Sequence, residues 1–191
     1  MKFGLIALGV IALLIFMVGG QVMGARNTMV TEKEGISAAF AQVDVAMQRR
    51  SDLIGNLVNT VKGIANQEKE VFTNIANARA AMAGARTPSE KIQANSQIDS
   101  ALSRLLVVQE NYPQLKSNEQ FARLMDELSG TENRISVERR KYNESVQKYN
   151  TDIALFPNNI AASIFNFARE EAYFKTDAGA RTAPKVDFST K

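Results

Sequence analysis

The stretch ISAAFAQVDVAMQRRSDLIGNLVNTV, residues 36–61, decides the fold. Ile36, Phe40, Val43, Met47, Arg50, Ile54, Leu57 and Val61 recur alternately four and three residues apart. A seam with that spacing keeps one face of an α-helix against a partner along its whole length. One member, Arg50, is charged, so the seam must find a counter-charge where it is covered.

A second seam supplies the partner. Phe121, Met125, Leu128, Glu132, Ile135, Arg139, Tyr142, Val146, Tyr149 and Ile153 have the same alternation, with Glu132 and Arg139 as its charged members. Between the two seams lie shorter apolar sets. Val71, Ile75, Ala78 and Met82, flanked by Phe72, form one; Ile92, Ile98, Leu102, Leu105 and Leu106 form the other. Thr31-Glu32-Lys33-Glu34 fits a capping box and reads as a helix start. Ala83 to Pro88 reads as a loop, with Thr87 or Ser89 capping the next helix. Pro113 disfavours helix at Tyr112 and ends that element. The last long helix is expected from Ser117 to Leu155, closed by Phe156-Pro157-Asn158-Asn159.

Periodicity alone allows Thr31 to Gly84 to be one helix or two. One helix would be about 80 Å long, against about 35 Å for Ser89 to Asn111, and would leave much seam uncovered. A turn near Gly63 to Gln67 lets each seam find a neighbour, so two helices are preferred. The expected fold is all-α: an N-terminal transmembrane helix followed by an antiparallel up-and-down four-helix bundle of long helices.

Phe3 to Ala25 carries no charge, and Phe3 to Val18 is almost wholly apolar. That run is close to the ~20 residues a spanning helix needs. A cleaved signal peptide is the competing reading. Neither Val22 with Gly24 nor Met23 with Ala25 makes a good cleavage site. The expected layout is an anchor over 1–25, the bundle over 26–158, an amphipathic segment over 159–174 and an extended tail over 175–191. Lys2 and the amino terminus nearly balance Arg26 and Lys33, which leaves the orientation open. The bacterial inner membrane, crossed once with the bundle on the periplasmic side, is the preferred location.

The chain contains 0 His and 0 Cys. Imidazole bases, thiol nucleophiles, disulfides and nearly all zinc sites are thereby removed. Net charge is +3, from 23 basic and 20 acidic residues, too mild to point to nucleic acid. Arg49-Arg50 and Arg139-Arg140 are interleaved with Asp52, Glu132 and Glu138, so they form no clean basic stripe. Ser51 and Asp52 are helix neighbours that do not face each other. No phosphate-binding glycine loop is present in the sequence. An enzyme is not expected, and neither a cofactor nor a metal.

The sequence resembles the LemA family. The resemblance rests on Asn27 to Thr31, Ala38 to Asp44, Gln48 to Val58, Ala65 to Glu70, Thr131 to Ile135, Tyr142-Asn143, Tyr149-Asn150, Phe156 to Asn159 and Ala183 to Phe188. Gly55 departs from it, since proline is usual there; glycine permits a bend without forcing one. The resemblance implies a membrane-anchored helical bundle with no assigned enzymatic activity. One branch of the family is associated with biogenesis of magnetosome membranes.

Four sets of residues carry the functional expectations. Setting Val61 level with Phe121 in an antiparallel pair brings Phe40 to Tyr142 and Val43 to Arg139. It also brings Arg50 to Glu132, as a hydrogen-bonded ion pair that fixes register. Arg139 then needs another acceptor, for which Asp44 is nearest in level. Ile160, Ile164, Phe165 and Phe167 either plug the end of the bundle or lie in the membrane interface. The two Tyr-Asn pairs share one helical face, with the tyrosines in the core and the asparagines able to hold a ligand. Phe188 is the tail's one large aromatic group beyond Phe174 and a candidate oligomer contact. The expected function is a membrane-anchored scaffold of the bacterial envelope that binds lipid, unidentified envelope proteins or further copies of itself. The alternative is a membrane-remodelling protein that self-assembles on the bilayer.

Overall fold

A computed structural model describes residues 2–65 and 67–175. Among them the fold is all-helical: α1 (Lys2–Lys62), α2 (Lys69–Gly84), α3 (Pro88–Asn111), a single turn α4 (Pro113–Lys116), α5 (Glu119–Asp152) and the short α6 (Asn158–Ile164). Phe188 lies outside the described residues.

α1 departs from the expected layout. The segments expected as anchor and as first bundle helix are one element of 61 residues, about 90 Å long at the ordinary helical rise. Thr31 therefore caps nothing; its hydroxyl donates to the Asn27 carbonyl one turn back. The reason is local: nothing from Phe3 onward breaks the helix until Gly63, and no proline lies in the first 62 residues. The capping box that does form is at Thr87, where the hydroxyl accepts from Glu90 N and the Glu90 carboxylate accepts from Thr87 N. The break expected near Gly63 to Gln67 lies between the end of α1 and the start of α2.

The apolar N-terminal part of α1, expected as the anchor, is bare. Leu5, Leu8, Leu13, Phe16 and their neighbours up to Val18 face outward, and burial begins in earnest at Met29, which is 0% exposed. From there to Val61 the seam is covered by α5, whose 34 residues match that length of α1. The register is antiparallel: the Phe40 and Tyr142 rings meet edge-on at 5.4 Å, and Arg50 lies against Glu132. Val43, Leu57, Val61, Ile135, Tyr142 and Val146 are all fully buried between these helices.

α2 and α3 form a second antiparallel pair laid over the end of α1 and α5 far from the anchor. Arg79 on α2 reaches Ser51, and Lys62 lies over the Phe72 ring. The α3 seam differs from expectation. Ala94, Ile98, Ala101, Leu105 and Val108 are buried, four and three apart, whereas Leu106 is 44% exposed and Leu102 half-buried. Alanine fills the positions where α2 and α3 approach closely, so the larger Leu102 and Leu106 turn aside. Gly55 does not bend α1. A methyl group there would stand 2.8–2.9 Å from the Arg79 guanidinium, so glycine gives that group room on the helix.

Towards the anchor α2 and α3 give way to other cover. α6 packs Ala161 and Ala162 against α1 near Val22, Ala25 and Met29. Asn166 then adopts φ 57°, a left-handed turn that asparagine tolerates. The chain reverses and runs back along α5 to Lys175.

The two capping readings separate cleanly in the laboratory. Thr87→Ala should lower thermal stability by about 1 kcal/mol, as loss of a capping box does. Thr31→Ala, in mid-helix, should change it by less than ~0.5 kcal/mol. Equal losses from the two would contradict an unbroken α1.

Candidate functional site

Three features distinguish this molecule from a plain bundle: a polar layer in the seam, a clasped segment, and an apolar collar near the anchor.

Arg50 is the centre of the polar layer. Its side chain is 8% exposed, and its Nη1 lies 2.5 Å from Asp99 Oδ1 and 2.8 Å from Glu132 Oε2. The Asp99 contact is a hydrogen bond. The Glu132 contact is close but out of line with the N–H bonds, so Glu132 Oε2 and Arg50 Nε are both buried without a hydrogen-bond partner. One nitrogen between two carboxylates thus replaces the two-bonded fork expected with Glu132. Seam spacing does not reveal Asp99, because it lies beside the α3 seam, next to Ile98. Asn95 donates to its second oxygen at 3.0 Å.

Asp44 and Arg139 do not pair. Asp44 accepts from Lys91 on α3. Arg139 instead lies over the Phe174 ring, 5.2 Å from its centroid. The aromatic ring of the returning segment occupies the level where a carboxylate is expected. Nearer the anchor, Glu32 accepts from Lys148 across the seam. Burial and the adjacent Asp152 push the Glu32 carboxyl up from the usual carboxylate range, against the pull of Lys148.

The clasped segment is held by the two asparagines. Asn143 donates to the Phe174 carbonyl at 2.8 Å and accepts from Phe174 N at 3.0 Å. Asn150 donates to the Glu170 carbonyl at 2.8 Å and accepts from Glu170 N at 2.9 Å. Each carboxamide therefore closes both backbone positions of one residue, as a neighbouring strand would. Seven-residue spacing on α5 puts both clasps on one face. The ligand of these asparagines is the chain itself. Tyr149 donates to the Ala168 carbonyl at 2.9 Å, which continues the same row. Tyr142 lies beneath, sandwiched edge-on by Phe40 and Phe174. Its hydroxyl is buried and has no hydrogen-bond partner. Burial, with Glu170 and Tyr173 nearby, pushes that hydroxyl up to about 12.

The collar lies where α6 meets α1. Ile160 is 48% and Ile164 59% exposed, joined by Leu155 and Phe156 at 55% and 79%. Phe165 and Phe167 are half-buried against the core, with Arg26 over the Phe165 ring at 5.5 Å. The four sequence candidates thus divide. Two face outward, and two turn inward because the helix ends at Ile164 and the chain reverses. Leu155 and Phe156, which the sequence places in the closing turn, complete the outward face.

A family model described as the LemA family matches residues 39–188. Magnetosome protein MamQ 2 of Paramagnetospirillum magneticum is 29% identical over 179 residues, covering 80% of this chain and 66% of that protein. Magnetosome protein MamQ of Magnetospirillum gryphiswaldense is 26% identical over 201 residues, covering 92% and 73%. Protein LemA of Metamycoplasma hominis is 26% identical over 141 residues, covering 73% and 64%. The chain spans just under two thirds of the length of the first and last of these relatives.

Two stability measurements test the polar layer and the buried tyrosine. Asp99→Ala or Glu132→Ala leaves Arg50 one half-exposed partner and should cost about 1 kcal/mol. The double substitution strands a buried guanidinium and should cost about 3–5 kcal/mol, more than the singles together. Simple additivity would contradict the shared arginine. Tyr142→Phe removes an unpaired buried hydroxyl and should be neutral or stabilising by about 1 kcal/mol at neutral pH. Because the folded hydroxyl titrates above its unfolded value of 10.0, its contribution is complete below pH 10. It is lost as the pH rises towards about 12. The wild-type chain should therefore lose stability across that window more steeply than Tyr142→Phe; parallel curves would contradict the burial of the hydroxyl.

Proposed function

This chain belongs to the LemA family, and on that premise we propose that it is a non-catalytic, membrane-anchored helical scaffold of the bacterial envelope. It crosses the inner membrane once, with the helical domain on the periplasmic side. There it binds lipid, envelope proteins and further copies of itself, and nucleic acid is not among its partners. In this reading α1, α2, α3 and α5 act as one up-and-down four-helix bundle, standing on the bilayer through α1.

The observation that carries the reading is the collar beside an unbroken α1. One helix among the described residues is long and apolar enough to cross a membrane, and its apolar window is wholly exposed. The same helix continues without a hinge into the domain. α6 packs on it near Val22 to Met29, only about 6–16 Å along the axis beyond Val18. Leu155, Phe156, Ile160 and Ile164 then sit at the height of lipid headgroups, where exposed apolar groups gain by burial. Arg26, above Phe165, suits the same layer.

A second reading, membrane remodelling by self-assembly, draws on the two relatives named as magnetosome proteins. It uses the same collar: a wedge of apolar side chains fixed to a rigid helix would perturb one leaflet.

The chain has no Trp, so a single introduced tryptophan reports its own surroundings. In the full chain reconstituted in vesicles, fluorescence of Ile164→Trp should be strongly quenched by lipids brominated near the headgroup. Fluorescence of Leu106→Trp, on α3, should not. Equal and weak quenching at both positions would remove the interfacial role of α6.

A further inference from the structure

Among the described residues α3 stands off from α5, and the cleft between them, floored by α1, has a volume of about 270 Å³. Its two ends differ in kind. Arg50, Asp99 and Glu132 stand together at the end nearer the N-terminus of α1. Beyond them the walls are apolar: Leu57 on α1, Leu102 and Leu106 on α3, and Phe121, Met125 and Leu128 on α5. All three helices agree in this order because α1 and α3 run the same way and α5 runs against them. Leu106, at the far rim, is 44% exposed. Ser103 and Ser129 line the cleft one helical turn beyond Asp99 and Glu132.

We propose that this cleft binds a slender amphiphile with one protonated primary amine. The ammonium group sits between Asp99 and Glu132, and the alkyl chain lies in the apolar trough. The sign of the head follows from the charges. Arg50 is the one cation among the residues lining this cleft, and it faces two carboxylates, at 2.5 Å for Asp99 and 2.8 Å for Glu132. The charged end therefore carries a surplus negative charge, which repels a carboxylate or phosphate head and attracts an ammonium. Both carboxylates are partly open to the cleft, at 33% and 43% exposure, so an incoming donor reaches them. An ammonium brings three N–H donors and no acceptor. Ser103 donates its own proton to the Asp99 carbonyl, which leaves its oxygen able to accept a third.

The body of the ligand follows from size and position. The volume is close to the lower limit of ~300 Å³ for small-molecule pockets, which suits one alkyl chain and not a two-chain lipid. A head held at Asp99 puts the far end of the chain beside Leu106, about 10 Å further along α3. Arg50 stands about 48 Å along α1 from Val18, the last residue of the exposed apolar run. A bilayer around that run does not reach the cleft, so the ligand arrives from solution. The inference is therefore independent of any contact between the collar and lipid.

The test uses the full chain in lipid nanodiscs, with Leu106→Trp as its one tryptophan. Alkylamines, like lysine, are protonated at neutral pH. Terminally brominated octylamine should quench this tryptophan saturably, whereas the brominated octanol and octanoate should not at the same concentrations. Unbrominated hexylamine should compete about 15-fold less well than octylamine, since each buried methylene is worth about fourfold. Adding Glu132→Gln should weaken binding at least tenfold. Ser129→Phe, which fills the trough and leaves the charges in place, should abolish it. Ile164→Trp, in the same nanodiscs, reports amine that merely enters the bilayer, and its quenching should ignore Glu132→Gln. No saturable quenching at Leu106→Trp, equal quenching by the alcohol, or indifference to both cleft variants would overturn the proposal. Weaker binding in discs carrying several copies than in discs carrying one would overturn it in favour of a second copy covering the cleft.

Discussion

The contact between α1 and α5 is the constraint on which the other elements depend. Its apolar members are spaced so that neither helix can rotate without exposing them, and its rings and charges fix the sliding register. Phe40 on Tyr142 and Arg50 beside Glu132 belong to one antiparallel alignment. Once α5 is set against α1, its end at Asp152 lies near the apolar N-terminal part of α1, and α6 folds back onto α1 there. The clasped segment comes next, because Asn143 and Asn150 are carried on α5 and aim at the same face. α2 and α3 are then a second layer over the surface left uncovered.

The polar residues in this seam serve specificity more than stability. A buried arginine between two half-exposed carboxylates gains little over a hydrophobic filling. It does, however, penalise every register in which the guanidinium would be left alone. Asp99 extends that control to α3, so one side chain ties the positions of three helices. The asparagine clasps work similarly. They close on the backbone of Glu170 and Phe174, while Asn150 also donates to the Tyr173 hydroxyl and Tyr142 and Arg139 pack on the Phe174 ring, so the returning segment is held by its backbone and by its aromatic side chains.

Much of this is legible in the residues. The four-three spacing of both long seams, the break after α1, the end of α3 at Asn111 and the level of Arg50 with Glu132 all derive from periodicity and helix geometry. Three features do not. Thr31-Glu32-Lys33-Glu34 has the composition of a capping box, but a cap forms only where the chain is not already helical, and the anchor delivers a helix to that point. The α3 seam is obscured because alanine carries a weak apolar signal, although Ala94 and Ala101 let α2 approach closely. Arg139 finds a ring where spacing suggests a carboxylate, because an aromatic face on a non-helical segment has no periodicity to announce it. The collar is half legible: the apolar run after Pro157 is obvious, but which residues turn outward depends on where the short helix stops.

For the collar to sit at the headgroups, α1 must be one rigid element from the lipid into the domain. Gly20 and Asn56 are both exposed and lie ten helical turns apart, on the same face of α1. Spin labels on G20C and N56C in the full chain, reconstituted in nanodiscs, should give a single narrow separation of about 54 Å, the length of that many helical residues. A broad or markedly shorter distribution would mean a hinge between anchor and bundle and would contradict a rigid α1.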